Sequence, residues 1–382
     1  MRHVSGNSYP NNLIELPANS SRFFNSKEEA VLQPLGKMQL EIRELGEYTN
    51  RKQSHYITNT NYDQSLIRFD SLYCTDSPFL LENSFKVIMG VIGKLNRQNL
   101  HIFDIGCGQG ELVMKLRNHG FNAFGYDPVL REPSAFLYAT FFGENEIIRG
   151  NGNNLYILRC VLPHLEKPME FIDDIFDKDP EAMIYIEWQS PNYIINSKAF
   201  YMVMHDHVNY FSLSTFLNYQ TESYGQFGEW EYVLIRSTQR HPTKRFGEKT
   251  QDLDKKLERG GDELRHGLTT TFNLRWEYLE TLNCKKEVDE DSRFIIYSAA
   301  GKAVNFAFVL SHLKKEDQLL CVDVSSYKSG KFLEASGARV LAIGELESQV
   351  RKIDVLFILN PSHEAFATSK FAKASIRRVY EN

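Results

Sequence analysis

The stretch His101-Ile-Phe-Asp-Ile-Gly-Cys-Gly-Gln-Gly110-Glu-Leu-Val-Met-Lys-Leu-Arg117 decides the fold. Its first five residues read as a short buried strand. Glycines at 106, 108 and 110 then let the backbone turn sharply and approach a ligand, because no Cβ intervenes. The run from Glu111 to Arg117 reads as a helix stopped by Gly120, ahead of a second strand, Ala123-Phe-Gly-Tyr-Asp127. Strand, glycine turn, helix, strand is a right-handed βαβ unit and predicts a doubly wound α/β sheet. The free N–H groups at the start of the helix suit a dinucleotide diphosphate or an adenosyl-amino acid. A dinucleotide fingerprint, G-x-G-x-x-G, needs a glycine at position 111, where this chain has Glu111; NAD is thereby disfavoured.

Outward from this unit the alternation continues. Pro78 to about Leu95 carries Phe85, Ile88, Met89 and Ile92 at helical spacing. Asn154–Arg159 and Ala182–Glu187 read as strands around a helix from Pro168 to Phe176, and Tyr232–Ser237 as a further strand. The composition turns polar and basic from Thr238 to Gly247, which marks a boundary. Gln251 to about Leu282 then reads as one long helix, with Leu264, Leu268, Phe272, Trp276 and Leu279 on a stripe and Gly260-Gly261 weakening it. A second α/β pattern follows: strand Phe294–Ser298, helix Lys302–Leu313, and strands Gln318–Val324, Ala338–Ile343 and Val355–Leu359. The expected organisation is an appendage of short strands and loops over 1–73, a cofactor-binding domain over 74–240, a linker and helix over 241–290, and a smaller α/β domain over 291–382. Two α/β units imply a cleft between them, where ligands bind.

With 382 residues, 42% hydrophobic and 24% charged, the chain reads as globular. Its net charge of -5 gives no reason to expect a nucleic acid polymer as partner. Met1 to Ser21 lacks an apolar signal core, and no stretch is long and apolar enough to span a bilayer, so no membrane partner and a cytoplasmic location are expected. Cys74, Cys107, Cys160, Cys284 and Cys321 lie far apart with no C-x-x-C pair, against a disulfide framework or a structural zinc. The site is therefore expected to hold no metal.

The pattern Asp104-x-Gly106-x-Gly108-x-Gly110 resembles the first motif of class I methyltransferases. That resemblance implies S-adenosylmethionine as cofactor, wrapped by the loop, with its ribose hydroxyls on Asp127 of Gly-Tyr-Asp-Pro. Arg159-Cys-Val-Leu-Pro-His164 is similar to the family segment after the fourth strand; His164 reads equally as a packing histidine or a group beside the transferred methyl. The implied cofactor set is Asp104, Gly106, Cys107, Gly108, Gly110, Asp127, Pro128, Phe142, Arg159 and Val161.

Methyl transfer from a sulfonium is an in-line displacement, so the protein must make and align the nucleophile. A carbon nucleophile requires a base beside a carbonyl, and histidine suits the task. Met204-His-Asp-His-Val-Asn-Tyr-Phe-Ser212 resembles the Tyr-His-Glu-His-x-Ser-Tyr-Phe-Ser of nucleotide-sugar C-methyltransferases. By position the resemblance implies His207 as base, Asp206 in the place of the glutamate, and Met204 where the family has tyrosine; either the substrate then differs or Tyr201, Tyr210 or His205 replaces that hydroxyl. His-x-His also suits a metal, without an obvious third ligand, and the same segment reads as a polar loop capping a following helix. Glu187, in Tyr-Ile-Glu-Trp, matches the family's I-E-V-P and either faces the methyl group or simply ends a strand.

The second unit carries the most discriminating likeness. Ile295-Ile-Tyr-Ser-Ala-Ala-Gly-Lys302, Val322-Asp-Val-Ser-Ser-Tyr-Lys328-Ser-Gly330 and Asp354-Val-Leu-Phe-Ile-Leu-Asn-Pro361 are similar to three segments of the same family. A small-molecule substrate, a keto-deoxy nucleotide sugar, is implied, with catalytic His207, Asp206, His205 and His164 and substrate-binding Glu187, Asn209, Tyr210, Ser298, Lys302 and Lys328. Lys302 and Lys328 read either as cations for a diphosphate or as solvated surface lysines. Family members begin with a cysteine-bearing zinc module, whereas this chain has no cysteine before Cys74. An O- or N-methyltransferase and a non-catalytic cofactor-binding protein are the alternative readings.

Overall fold

The computed structural model describes residues 13–19, 22–49, 52–67, 78–95, 100–143, 153–237, 260–281, 291–299, 301–313 and 316–381. Its first large sheet has seven strands, in the spatial order Gln220–Phe227, Trp230–Arg236, Met183–Gln189, Asn154–Arg159, His101–Ile105, Asn122–Tyr126 and Leu137–Tyr138. The last five in that order run parallel. Trp230–Arg236 runs antiparallel to both its neighbours. This is the doubly wound arrangement that the class I methyltransferase resemblance implies. The chain builds outward from His101–Ile105 to Leu137–Tyr138, then returns to lay Asn154–Arg159 on the other side, so the switch point lies between those two strands. Ligands bind in the crevice at the carboxyl ends of strands at such a point.

Helices explain why the central strands are apolar on both faces. Pro78–Leu95 and Glu111–Asn118 cover one face through Phe85, Ile88, Leu112 and Leu116. Pro168–Lys178 covers the other through Ile172, Ile175 and Phe176. Met183–Gln189 is accordingly buried at every position. The outermost strand, Gln220–Phe227, escapes a pattern search because an edge strand alternates without a buried face; it is half-buried or exposed throughout.

The second seven-stranded sheet runs Ser375–Arg378, Val355–Ile358, Phe294–Tyr297, Leu319–Asp323, Arg339–Ala342, Phe332–Leu333 and Phe23–Phe24. Its first five strands are parallel, with a second switch point between Phe294–Tyr297 and Val355–Ile358. The N-terminal residues divide between the two units. Phe23–Phe24 extends the second sheet, while Leu40–Thr49 and Lys52–Asn59 form a hairpin that pairs with Asn209–Tyr210.

The stripe after Gly260 forms two helices, Gly261–Asn273 and Arg275–Thr281, rather than one; residues 251–259 lie outside the described ones. The helix begins only after Gly260, whose backbone is extended, and breaks at Leu274. Leu264, Leu268, Phe272 and Leu279 still face one core, shared with Phe200 of the first unit and Phe306 of the second. Among the described residues no helix is long and apolar enough to cross a membrane.

Candidate active site

Gly106, Gly108 and Gly110 all have positive φ (71°, 61° and 86°), a region that favours glycine. A Cβ on Gly106 would stand 2.5 Å from Val161, and one on Gly110 would stand 2.7 Å from Leu137. The loop is anchored to the next strand by Gly106 N–H and Cys107 N–H, both donating to the Tyr126 carbonyl at 2.8 and 3.2 Å. Asp104 is buried beneath it. Cys107 is also buried, which pushes its thiol well above the ordinary range and makes it a packing residue.

Asp127 follows the second strand and is buried. Its Oδ2 accepts Gly108 N–H and its Oδ1 accepts Val129 N–H, each at 3.0 Å. Burial raises its pKa against these two bonds. A carboxylate has about four acceptor positions, so lone pairs remain for two hydroxyls. The loop with its three glycines and this fixed acid fit an adenosyl-amino acid. Pro128 is exposed, and Phe142 packs against Tyr126 and Tyr156 with ring centroids 5.2 and 5.7 Å apart.

Arg159 and Glu187 stand on paired positions of adjacent strands and form a buried ion pair, Nε to Oε1 3.5 Å. Ser84 and Tyr185 donate to the two oxygens of Glu187 at 2.8 and 2.9 Å. Glu187 thus serves the pair and the helix that carries Ser84. Cys160 follows with φ 56°, an uncommon conformation for a non-glycine residue and a local strain at the switch point. It turns the chain into Leu162–His164, and this short turn carries both Val161 against Gly106 and the His164 imidazole.

His164 Nδ1 lies 2.7 Å from the Asp206 carbonyl. A carbonyl only accepts, so Nδ1 carries the proton and Nε2 keeps a lone pair. The ring meets His207 edge-on, centroids 4.9 Å apart. Met204–Tyr210 is closed by the Tyr210 hydroxyl, which accepts from Met204 N–H at 2.8 Å and donates to the Met204 carbonyl at 3.1 Å. Asn209 donates to the Leu165 carbonyl at 2.5 Å and pairs across the sheet with Thr58. Burial, and after it the neighbouring His164, lowers the His207 pKa to about 3, while Asp206 opposes the shift. Tyr201 is a core residue edge-on to Phe200 and Phe306, and the hydroxyl of Tyr210 is engaged by the backbone.

The second unit meets this site through its own glycine turn. Ser298 has φ 88° and Gly301 φ 54°. Met204 Cε lies 3.7 Å from where a Cβ on Gly301 would stand. Lys302 pairs with Glu229 of the first unit, and Lys328 with Asp323 at 3.0 Å. The solvated-lysine reading fails for both, because each sits largely buried against a carboxylate. His205 departs from the expected grouping: it is fully buried, with Nδ1 3.3 Å from the Ala18 carbonyl and its ring 5.6 Å from that of Tyr62. Ala18, Tyr62 and Glu229 have no sequence signal, since each is brought in from a distant segment. Among the described residues no group of three or more His, Cys, Asp or Glu side chains is placed to hold a metal ion.

The buried histidines make stability depend on acidity. His207 and His363 titrate near 3 and 4 when folded, below the ordinary histidine value of 6.5, chiefly through burial. A lowered pKa stabilises the folded state above the unfolded value and loses that contribution as pH falls through the folded one. Glu334, raised to about 7 by burial, acts oppositely: its contribution is full below the ordinary carboxylate value of 4.5 and is lost as pH rises to 7, so between pH 6.5 and 5 it opposes the two histidines and is outweighed by them. The urea midpoint is therefore expected to fall between pH 6.5 and 5, and His207→Gln should flatten that limb. An unchanged slope in the variant refutes the assignment.

No family model matches the chain, and no curated protein matches it. Among solved structures it is similar to the PH0226 protein of Pyrococcus horikoshii OT3, at 12% identity over 41% of this chain and 90% of that one, TM-score 0.32. It is similar to the plantazolicin methyltransferase BpumL in complex with an analogue and SAH, at 16% identity over 42% and 86%, TM-score 0.35. A third likeness is to magnesium protoporphyrin IX methyltransferase (ChlM) from Synechocystis PCC 6803 with bound SAM, at 14% identity over 42% and 80%, TM-score 0.29. All three cover less than half of the chain; the fold rests on strand order and register.

Proposed function

We propose that the chain is an S-adenosylmethionine-dependent methyltransferase that methylates carbon in a keto-deoxy nucleotide sugar. One observation carries the reading: the glycine loop packs on Val161, and the turn that holds Val161 also holds His164 against His207. A methyl-donor loop and a histidine pair are thereby joined through one short segment. The cofactor, when bound, supplies an electrophilic methyl group. Gly106 to Gly110 would hold its amino-acid part and Asp127 its ribose. His207, neutral at physiological pH, takes a proton from the carbon beside the substrate carbonyl, and Asp206 favours the imidazolium as it forms. His164 presents Nε2 as an acceptor next to it. Arg159 and Glu187 keep the strand ends in register beneath the turn.

Met204 favours keeping a second reading, O- or N-methylation of a related small molecule, because a thioether replaces the hydroxyl that the family places there. One incubation separates the two. With labelled cofactor and a panel of 4-keto-6-deoxy sugar nucleotides in deuterated water, C-methylation predicts enzyme-dependent exchange of the α-proton. Methylation without exchange supports the second reading; neither exchange nor methylation across the panel defeats the proposal.

A further inference from the structure

Glu334 is a buried carboxylate of the second unit with no cation among its hydrogen-bond partners in the described residues, and its bonds run to the N-terminal segment. Its Oε1 accepts Ala18 N–H at 2.9 Å and Asn19 N–H at 3.2 Å, and its Oε2 accepts the Asn19 side-chain amide at 3.0 Å. The same Asn19 amide also donates to the Leu66 carbonyl at 3.0 Å. The Ala18 carbonyl belongs to the same peptide group as Asn19 N–H, and it receives His205 Nδ1. Carboxylate, peptide and imidazole therefore form one chain between the second unit and the Met204–Tyr210 loop.

The physical effect follows from peptide resonance. A negative charge on the N–H side increases electron density on the carbonyl oxygen and strengthens the bond it accepts from His205, as linked hydrogen bonds polarise one another. Because a carbonyl only accepts, His205 is fixed as the Nδ1–H tautomer. Its Nε2 is buried and has no partner among the described residues. Leaving such an atom unsatisfied is costly, so an apolar ring would fill a purely structural position better. The ring is wedged in place: a Cβ on Gly36 would lie 2.4 Å from it, and Tyr62 covers another side.

We propose that Glu334 is a positioning residue for the active-site loop, acting through the Ala18–Asn19 peptide to hold His205 and with it the loop that presents His207. This rests on the methyl-transfer reading of that loop. Protonating Glu334 removes the charge that polarises the Ala18–Asn19 peptide and so weakens the bond that His205 donates to the Ala18 carbonyl. Burial places that protonation near pH 7. The charged groups facing the chain are Arg22 beside Glu334, and Asp63 and Asp206, with the Tyr62 phenol, around His205.

Histidine labelled with ¹⁵N in the imidazole tests the chain directly in the full-length protein, with the His205 signal assigned by its absence in His205→Gln. The expected result is an Nδ1–H tautomer whose shift steps near pH 7 without His205 itself titrating. Glu334→Gln, which keeps an acceptor but cannot ionise, should erase the step and flatten the turnover limb near pH 7, lowering turnover at pH 8 by about tenfold. Glu334→Asp should restore part of both. An Nε2–H tautomer or no step in the unaltered protein overturns the proposal, as does a step that persists in Glu334→Gln. The two readings fail separately. A step that Glu334→Gln erases, in a protein that methylates nothing, defeats the methyl-transfer reading alone; methylation with no step defeats the role of Glu334 alone.

Discussion

Replacing His207 with alanine is expected to reduce turnover by about a hundredfold or more, with affinity for S-adenosylhomocysteine within about twofold because the cofactor loop stays intact. The asymmetry follows from position. His207 touches the site through His164 and Tyr210, whereas the cofactor loop is braced by Val161, Leu137 and Tyr126. Burial makes His207 a weak base in the free protein, so it needs an acidic C–H, which a neighbouring carbonyl supplies. A substrate whose ketone has been reduced should show neither exchange nor methylation. Calorimetric cofactor binding and α-proton exchange, measured on the same preparation, check the prediction. Unchanged exchange in His207→Ala would move the base to His164, whose Nε2 lone pair is already presented.

The doubly wound sheet was legible from His101–Arg117 because glycine spacing and helix period both reflect backbone constraints that act within a few residues. The position of Asp127 was legible for the same reason: it follows the strand adjacent to the loop and accepts a loop N–H, that of Gly108. The His205–His207 triplet was visible as a cluster, yet the structure separates its members. Consecutive residues on an irregular loop face different directions, so His205 turns to Ala18 while His207 turns to His164. Lys302 and Lys328 were ambiguous because their carboxylate partners matter more than their own identity. Glu229 sits some seventy positions upstream of Lys302, on a hairpin turn of the other unit. The N-terminal segment was opaque for a related reason. Phe23–Phe24 and the pair Leu40–Thr49 and Lys52–Asn59 gain their stability from strands supplied elsewhere, so their own pattern shows only short β pieces.

Asp127→Ala should weaken cofactor binding by about a hundredfold or more, since hydrogen bonds to a charged group contribute about 1.5–3 kcal/mol each and two ribose hydroxyls lose theirs. The second unit supplies the control. Asp323 ends its own second strand and accepts Ala299 N–H and Ser325 N–H at 2.9 and 2.8 Å, reproducing the bonds that Gly108 and Val129 make to Asp127. There the likeness stops. Lys328 Nζ donates to Asp323 at 3.0 Å, neutralising its charge and using an acceptor position, whereas no cation pairs with Asp127 among the described residues. Ser298 and Gly301 also leave only one glycine where the first loop has three. Two similar turns therefore differ in what they offer: an uncompensated acid that can take two hydroxyls, against a paired one. Asp323→Ala should leave cofactor affinity within about twofold. Isothermal titration of both variants with S-adenosylhomocysteine decides it, and a large loss in Asp323→Ala with none in Asp127→Ala would place the cofactor in the second unit instead.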